Sequence, residues 1–447
     1  MLHFATRLFA CLSIVATLAG VSATAAESWK AGVAKAVITP EKPMWMAGYG
    51  GRTEPAAGKY HDLWIRVLAL EAADGHRGVI LSSDTLGISQ PIYEAVVQRL
   101  ELSRSLTRSQ IMLHASHTHC GPVLKQALYD TYPLDDAQIQ LIEEYSKGLV
   151  DKIVQTIESA LDDLQPATVS RGIGTCDFAV NRRTNREPTV PVLAVHRPDG
   201  TLSAVVFIYA CHNTCLSWQQ WCGDYAGFAQ YALEERHPGA MALFTMGCGA
   251  DQNPLPRRTV ELAQGYGTRL ADAVDHVLAE PMKPVTPQLQ TAMELTPLAF
   301  GPLPPREKLE TMAAANPNYQ QRWASRMLKL MASADGIPKD YPYPVQAWRL
   351  GNELLWLTLG GEVVVDYSLR FKGEYGWDTW ISGYSNDVMA YIPSERVLLE
   401  GGYEGQSSMF VYGQPCERWA PGVEERVAAA VNRVVQQASV SHSTVSE

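Results

Sequence analysis

An α/β fold with a mixed β-sheet core and flanking helices is predicted by three observations on the 447-residue sequence. Apolar strand-like runs alternate with amphipathic helical stretches, the pattern of a layered α/β domain. Three pairs of runs are joined by Asp-Gly or Gly-Asn, which makes neighbouring strands antiparallel and the sheet mixed. Most outgoing runs end in Asp, His or Glu, and sheets of this class place ligands beyond their strand ends.

Taken in order, residues 63–71 turn at Asp74-Gly75 into 78–84, and 190–196 turn at Asp199-Gly200 into 202–212. A third pair, 345–350 and 353–362, turns at Gly351-Asn352. These dipeptides supply the positive φ that a tight hairpin needs. Two further apolar runs, 110–116 and 240–246, lead into His117-Thr118-His119 and Gly247-Cys248-Gly249-Ala250-Asp251. Helical patterning covers 136–164, 226–236 and 262–278, and a last helix is expected over 421–437, with Pro421 in its first turn. The stretch 303–343 reads as a helical insertion punctuated by Pro and Gly, either a packed insertion or a lid.

The composition is 46% hydrophobic and 19% charged, which excludes a disordered chain. With 37 Lys and Arg against 47 Asp and Glu, and no basic run, nucleic acid is excluded as a partner. Arg7, the apolar run 8–21 and the small residues 22–26 have the layout of a secretory signal peptide over 1–26. The expected location is therefore secreted or periplasmic. No linker or low-complexity tract divides the rest, so one catalytic domain is expected over 27–440, followed by a polar tail at 441–447. Besides Cys11 the chain has seven cysteines, and in an oxidising compartment disulfides are the expected state, with at least one thiol left over.

Nucleophile elbows, His-Glu-x-x-His, P-loops and Gly-x-Gly-x-x-Gly are all missing from the sequence. What remains is a set of metal-type ligands at strand ends. In Ser116-His117-Thr118-His119-Cys120-Gly121-Pro122 two imidazoles stand two apart, on one face if the segment is extended. His212 ends another long apolar run, and Glu362 follows Gly360-Gly361. Two or three His and one carboxylate match a catalytic zinc site with a position open for water.

Residues 31–33, 38–40, 48–49, 61–62, the 116–122 motif, Asn181-Arg182-Arg183, Gly223-Asp224, Gly360-Gly361-Glu362 and Ser385-Asn386 through Tyr391 follow one another in the order of a known family. In these motifs the chain resembles the catalytic domain of the neutral/alkaline ceramidases, from about Ala31 to Tyr412. The resemblance implies a ceramidase-type catalytic domain with one Zn²⁺ held by His117, His212, Glu362 and Tyr391. It also implies that His119 moves protons and that Arg182 stands near the developing oxyanion. Asp84 and Asp224 are expected either to orient the ligating imidazoles or to act as structural caps. The implied substrate is the amide of an N-acyl lipid such as ceramide, met through transient contact with a membrane surface. A different amide or ester, such as an N-acyl saccharide, and a catalytically silent binding protein are the alternatives. Two positions depart from the family: Cys120 replaces a serine of the His motif, and Asn253 replaces a serine that contacts the substrate head group. The family's C-terminal immunoglobulin-like domain is not expected in this chain.

Overall fold

The computed structural model describes residues 28–439 except residue 335. The signal segment 1–26 and the polar tail 441–447 lie outside the described residues.

Nine strands form the larger sheet: β1 (Trp29–Val37), β2 (Trp64–Glu71), β3 (Arg77–Ser83), β4 (Ile111–Ala115), β5 (Gln165–Thr175), β6 (Thr189–His196), β7 (Leu202–Tyr209), β8 (Met241–Met246) and β9 (Lys283–Pro284). Their spatial order is β8-β7-β6-β5-β1-β2-β3-β4, with β9 paired to β5. The β3–β4 and β7–β8 pairs are parallel and the others antiparallel, so the sheet is mixed as expected. Gly75 and Gly200 turn the first two hairpins at φ +84° and +85°. A second sheet holds β10 (Leu289–Ala299), β11 (Asp340–Leu350), β12 (Leu354–Leu359) and β13 (Trp380–Ser382), in that order.

The alternation of side chains along these strands explains the stacking, because both faces of both sheets are apolar. Leu68, Ile80, Leu193 and Val206 of the large sheet meet Trp348, Trp356 and Trp380 of the small one in a single buried cluster. On the opposite face of the large sheet Val67, Leu81 and Phe207 pack against helices α1 (Gln90–Arg104), α2 (Asp136–Asp162), α3 (Asp224–Arg236) and α4 (Val260–Ala279). The outer face of the small sheet, with Val345, Leu357 and Leu359, is covered by helices α7 (Val365–Tyr375) and α8 (Val423–Gln437). The result is four layers, helix–sheet–sheet–helix. Each fully buried large apolar side chain contributes roughly 1.5–3 kcal/mol, so the tryptophan-rich middle layer joins the two sheets firmly.

Three expectations need correction. The 303–343 stretch is helical only over α5 (Arg306–Ala313) and α6 (Tyr319–Ala332), and Asp340 already begins β11. The two helices pack through Leu309, Trp323 and Met327 onto Phe410, which favours the packed insertion over a lid. The last helix starts at Val423 behind a left-handed Gly422, so Pro421 precedes its first turn. The seven cysteines from Cys120 to Cys416 are all free thiols, and all are buried. Small apolar side chains inside a well-packed interior need no cross-link.

Candidate metal centre

His117 and His212 follow β4 and β7 of the large sheet, whereas Glu362 and Tyr391 come from loops of the small sheet. The two carbon frameworks thus bring their polar ends to one place. The imidazole pair does not converge by extended alternation: residues 116–118 leave the strand, and His117 sits at φ +59°, a left-handed conformation uncommon for a non-glycine residue. This turn sets the His117 and His119 rings nearly perpendicular, 4.9 Å apart, with their Nε2 atoms 3.2 Å apart. Backbone strain of this kind clusters at functional positions.

Glu362 and Tyr391 are placed by a two-residue parallel pairing, Glu362 with Tyr391 and Val363 with Ile392. Gly361 makes the close approach possible. It stands at φ +70°, and a Cβ there would lie 2.7 Å from the Ala390 carbonyl oxygen and 2.8 Å from the Ile392 side chain.

The hydrogen bonds fix the tautomers. His117 Nδ1 lies 2.7 Å from the Leu86 carbonyl and His212 Nδ1 lies 2.8 Å from that of Gly249. A carbonyl only accepts, so each Nδ1 carries the proton and each Nε2 presents a lone pair. Both lone pairs face the same carboxylate oxygen: Glu362 Oε2 is 3.2 Å from His117 Nε2 and 3.1 Å from His212 Nε2. The Tyr391 hydroxyl is 3.1 Å from His212 Nε2. Two imidazole lone pairs and a carboxylate repel one another unless a cation lies between them. Four donors tetrahedrally arranged at ~2.0–2.1 Å around zinc stand roughly 3.3–3.4 Å apart, close to the three separations found. The donor set therefore fits the ion that the sequence implied.

His119 belongs to the same cluster, since its ligand atom and those of His117 and His212 all lie within 4.8 Å of one another. Its ring rests 4.6 Å from that of Tyr49, and its Nδ1 is buried without a partner. Burial, reinforced by the neighbouring His117 and His212, holds the His119 imidazole well below the usual range, and burial takes His212 to about 4.

Two tyrosines that the sequence reading passed over complete the carboxylate's surroundings. Tyr384 donates to Glu362 Oε2 at 3.3 Å, and Tyr412 donates to Oε1. Lone tyrosines carry no spacing signal, and only the fold shows what they touch. Arg182 lies beside Tyr391 and Glu362, near enough to act on them electrostatically, while its Nη1 donates to Glu404 at 2.6 Å and its Nη2 to Asn253 at 3.0 Å.

Asp84 and Asp224 do not orient the imidazoles; the Leu86 and Gly249 carbonyls do. Asp84 accepts from the Trp64 amide at 2.9 Å and pairs with buried Arg66, fixing the start of β2. Asp224 accepts from the Leu216 and Tyr225 amides at the head of α3, the capping alternative. Burial raises its carboxyl to about 7. The folded chain then keeps a proton that the unfolded chain releases near pH 4, so this group's contribution to stability falls as pH rises from about 4 to 7. Asp224→Asn is expected to flatten that part of the pH dependence, measured as urea unfolding free energy at pH 5 and pH 8.

Comparison with known proteins agrees with the geometry. Residues 29–247 match the family model described as "Neutral/alkaline non-lysosomal ceramidase, N-terminal". The neutral ceramidase of Pseudomonas aeruginosa is 28% identical over 250 residues, 51% of this chain and 37% of that one. That of Mycobacterium tuberculosis is 26% identical over 220 residues, 44% of this chain and 34% of its own length. The aligned part thus spans little more than a third of these relatives. In three dimensions the crystal structure of the Pseudomonas aeruginosa neutral ceramidase superposes with a TM-score of 0.73 at 20% identity, covering 94% of this chain and 76% of that chain. A structure titled "Ceramidase complexed with C2" gives 0.72 at 19% identity, over 94% and 77%. His117, His119, Arg182 and His212 fall inside the family match, whereas Glu362 and Tyr391 fall beyond it. Residues 29–247 thus match the neutral/alkaline non-lysosomal ceramidase family model, and the chain shares the fold of the solved neutral ceramidase well past that segment.

Proposed function

We propose that this protein is an exported, zinc-dependent amidase, a single catalytic domain that hydrolyses the amide of an N-acyl lipid such as ceramide to a fatty acid and a sphingoid base. The observation that carries the reading is the convergence of the His117 and His212 lone pairs on the Glu362 carboxylate beside Tyr391, a donor set that needs a cation. His117, His212, Glu362 and Tyr391 would hold the zinc. When bound, zinc acidifies a water, to a pKa of about 7, and polarises an amide carbonyl.

The remaining steps fall to the chain's own side chains. His119, a neutral buried imidazole beside His117, takes the proton from the attacking water and delivers it to the leaving amine nitrogen as the C–N bond breaks. Arg182 offsets the negative charge that develops on the carbonyl oxygen. Glu404 and Asn253 hold its guanidinium in place for this. Tyr384 and Tyr412 keep the Glu362 carboxylate from rotating.

Leu255, Leu399 and Tyr403 expose apolar side chains on the segments that carry Asn253, Glu400 and Glu404, the partners of Arg182 and Arg183. They supply a greasy rim for transient contact with a lipid surface. No described helix is long and apolar enough to cross a membrane.

The test is turnover of N-acyl sphingosine by the purified protein, followed as fatty-acid release by mass spectrometry. Chelation is expected to lower the rate by about 100-fold or more, and one equivalent of zinc to restore it. Turnover that survives complete metal removal overturns the zinc reading, and a zinc-loaded protein that cleaves no amide overturns the amidase reading.

A further inference from the structure

The three imidazoles of the cluster are not held alike. His117 and His212 each fix their ring through Nδ1, on the Leu86 and Gly249 carbonyls. His119 has no such anchor: its Nδ1 is buried without a partner, and its Nε2 meets His117 Nε2 at 3.2 Å, the lone pair that the proposed ion would take up. The last torsion of a histidine side chain is broad. A ring with no bond to a fixed acceptor therefore keeps its direction through what packs on it and what holds its backbone.

Both tasks fall to one segment, residues 45–52. It runs along the His motif through backbone bonds from the Val123 amide to the Trp45 carbonyl and from the Ala47 amide to the Gly121 carbonyl, both at 2.9 Å. Gly48 follows at φ +104°, and its missing side chain makes room for the imidazole: a Cβ there would overlap the His119 ring and lie 2.9 Å from the His119 Cβ. Tyr49 lays its ring against that of His119, with 4.6 Å between centres, and anchors its hydroxyl on the Leu216 carbonyl at 2.8 Å. Arg52 closes the turn, its amide bonded to the Tyr49 carbonyl at 3.2 Å. Its guanidinium stands 5.4 Å from the centre of the Tyr49 ring, a cation–π contact, and donates Nη2 to the His119 carbonyl at 2.7 Å. Nη1 donates to the Trp218 carbonyl at 2.8 Å and to Gln219 Oε1. Arg52 is buried, so these bonds are shielded from water. One planar side chain thus ties residues 49–52, the His motif and residues 218–219 together, with a fork that a lysine ammonium cannot reproduce.

We propose that Arg52 and Tyr49 are positioning residues for His119, the guanidinium fixing the backbone of residue 119 and the phenol ring fixing the direction of its imidazole. The inference rests on the proton-carrying role of His119 in the amidase reading above. The hydrogen bonds and ring contacts of the two side chains reach His119 and the 214–219 loop, not His117, His212, Glu362 or Tyr391. Their loss should therefore disturb the proton carrier and spare the proposed metal ligands.

Arg52→Met tests this in the zinc-loaded full protein, with Arg52→Lys as the variant to use if the first folds poorly. Arg52→Met is expected to lower kcat on N-acyl sphingosine by about 10–100-fold, the range found when the support of a functional group is removed. KM and zinc content should stay within about twofold of the wild type. Arg52→Lys, which keeps a donor near the carbonyls, should recover part of the loss. Added to His119→Gln, Arg52→Met should cost less than about threefold more, because its effect passes through His119. An undiminished loss in the His119→Gln background overturns the proposal. So does loss of zinc in Arg52→Met, or a wild-type rate in Arg52→Met while His119→Gln is impaired. Ring position is read separately from activity, by NMR of the zinc-loaded protein labelled at histidine, the His119 signals being those that vanish in His119→Gln. Arg52→Met and Tyr49→Ala should shift or broaden the His119 ring signals and leave those of His117 and His212 in place. His119 signals that do not move overturn the positioning role. Displaced signals in a protein whose wild type cleaves no amide would sink the amidase reading and leave the positioning of the ring standing.

Discussion

Replacing His117 with asparagine is expected to reduce kcat/KM by about three orders of magnitude or more, equivalent to ~4 kcal/mol of transition-state stabilisation, and to leave the purified protein almost free of zinc. Asparagine is the informative substitution because residue 117 sits at φ +59°. Asparagine enters the left-handed region readily, whereas alanine there would add ~1–2 kcal/mol of backbone strain and confuse a folding defect with a lost ligand. Removing this imidazole also deletes the Nε2 contact with Glu362 and the neighbour of His119. Both the proposed ion site and the proposed proton carrier are then disturbed, while the apolar layers around them are not. Metal analysis, steady-state kinetics and near-ultraviolet circular dichroism on one preparation check this together. A variant that kept its zinc and its rate would remove His117 from the ligand set.

The second large effect is expected from Gly361→Ala, a change of one methyl group that touches no functional atom. At φ +70° the new Cβ would overlap the Ala390 carbonyl and Ile392, so the paired segments 361–363 and 390–392 must separate. The cost is about 2–4 kcal/mol of stability, read from urea unfolding. Zinc affinity should fall as well, by about 10–100-fold, the range seen when the support of a ligand is disturbed, because Glu362 and Tyr391 lose their side-by-side placement. Unaltered stability and metal affinity would show that the pairing is not what holds the two ligands.

Much of this architecture could be read from residue patterns because the patterns are local. Asp74-Gly75 and Asp199-Gly200 announce hairpins through the positive φ they require, and the apolar runs before His117 and His212 are strands whose ends were easy to place. The doubling of the sheet was not visible. Trp348, Trp356 and Trp380 look like any buried aromatics, and nothing in their spacing says that they face a second sheet. The site divides in the same way. His117 and His212 follow from motif and strand position, and Glu362 from its Gly-Gly turn. The groups that hold the imidazoles are backbone carbonyls of Leu86 and Gly249, which no side-chain pattern encodes, and for this reason Asp84 and Asp224 were the wrong expectation for that role. Free cysteines were misjudged for a different reason: export sets the redox potential, but packing decides whether two sulfurs meet.

One consequence lies in the way the four proposed ligands divide between the sheets. His117 and His212 hang from the first sheet, Glu362 and Tyr391 from the second, and the tryptophan layer, together with backbone bonds such as Ala115 N–H to the Tyr384 carbonyl at 3.3 Å and Ala250 N–H to that of Val363 at 3.1 Å, brings the pairs to within 3.1–3.2 Å. Neither half of the chain can bind the ion by itself with four donors. A protein that folded only its first half would hold an inert pair of histidines, and an ion held by the proposed four ligands would act as a rivet across the seam. On the proposed ligand set, reactivity would be withheld until both sheets have closed on each other.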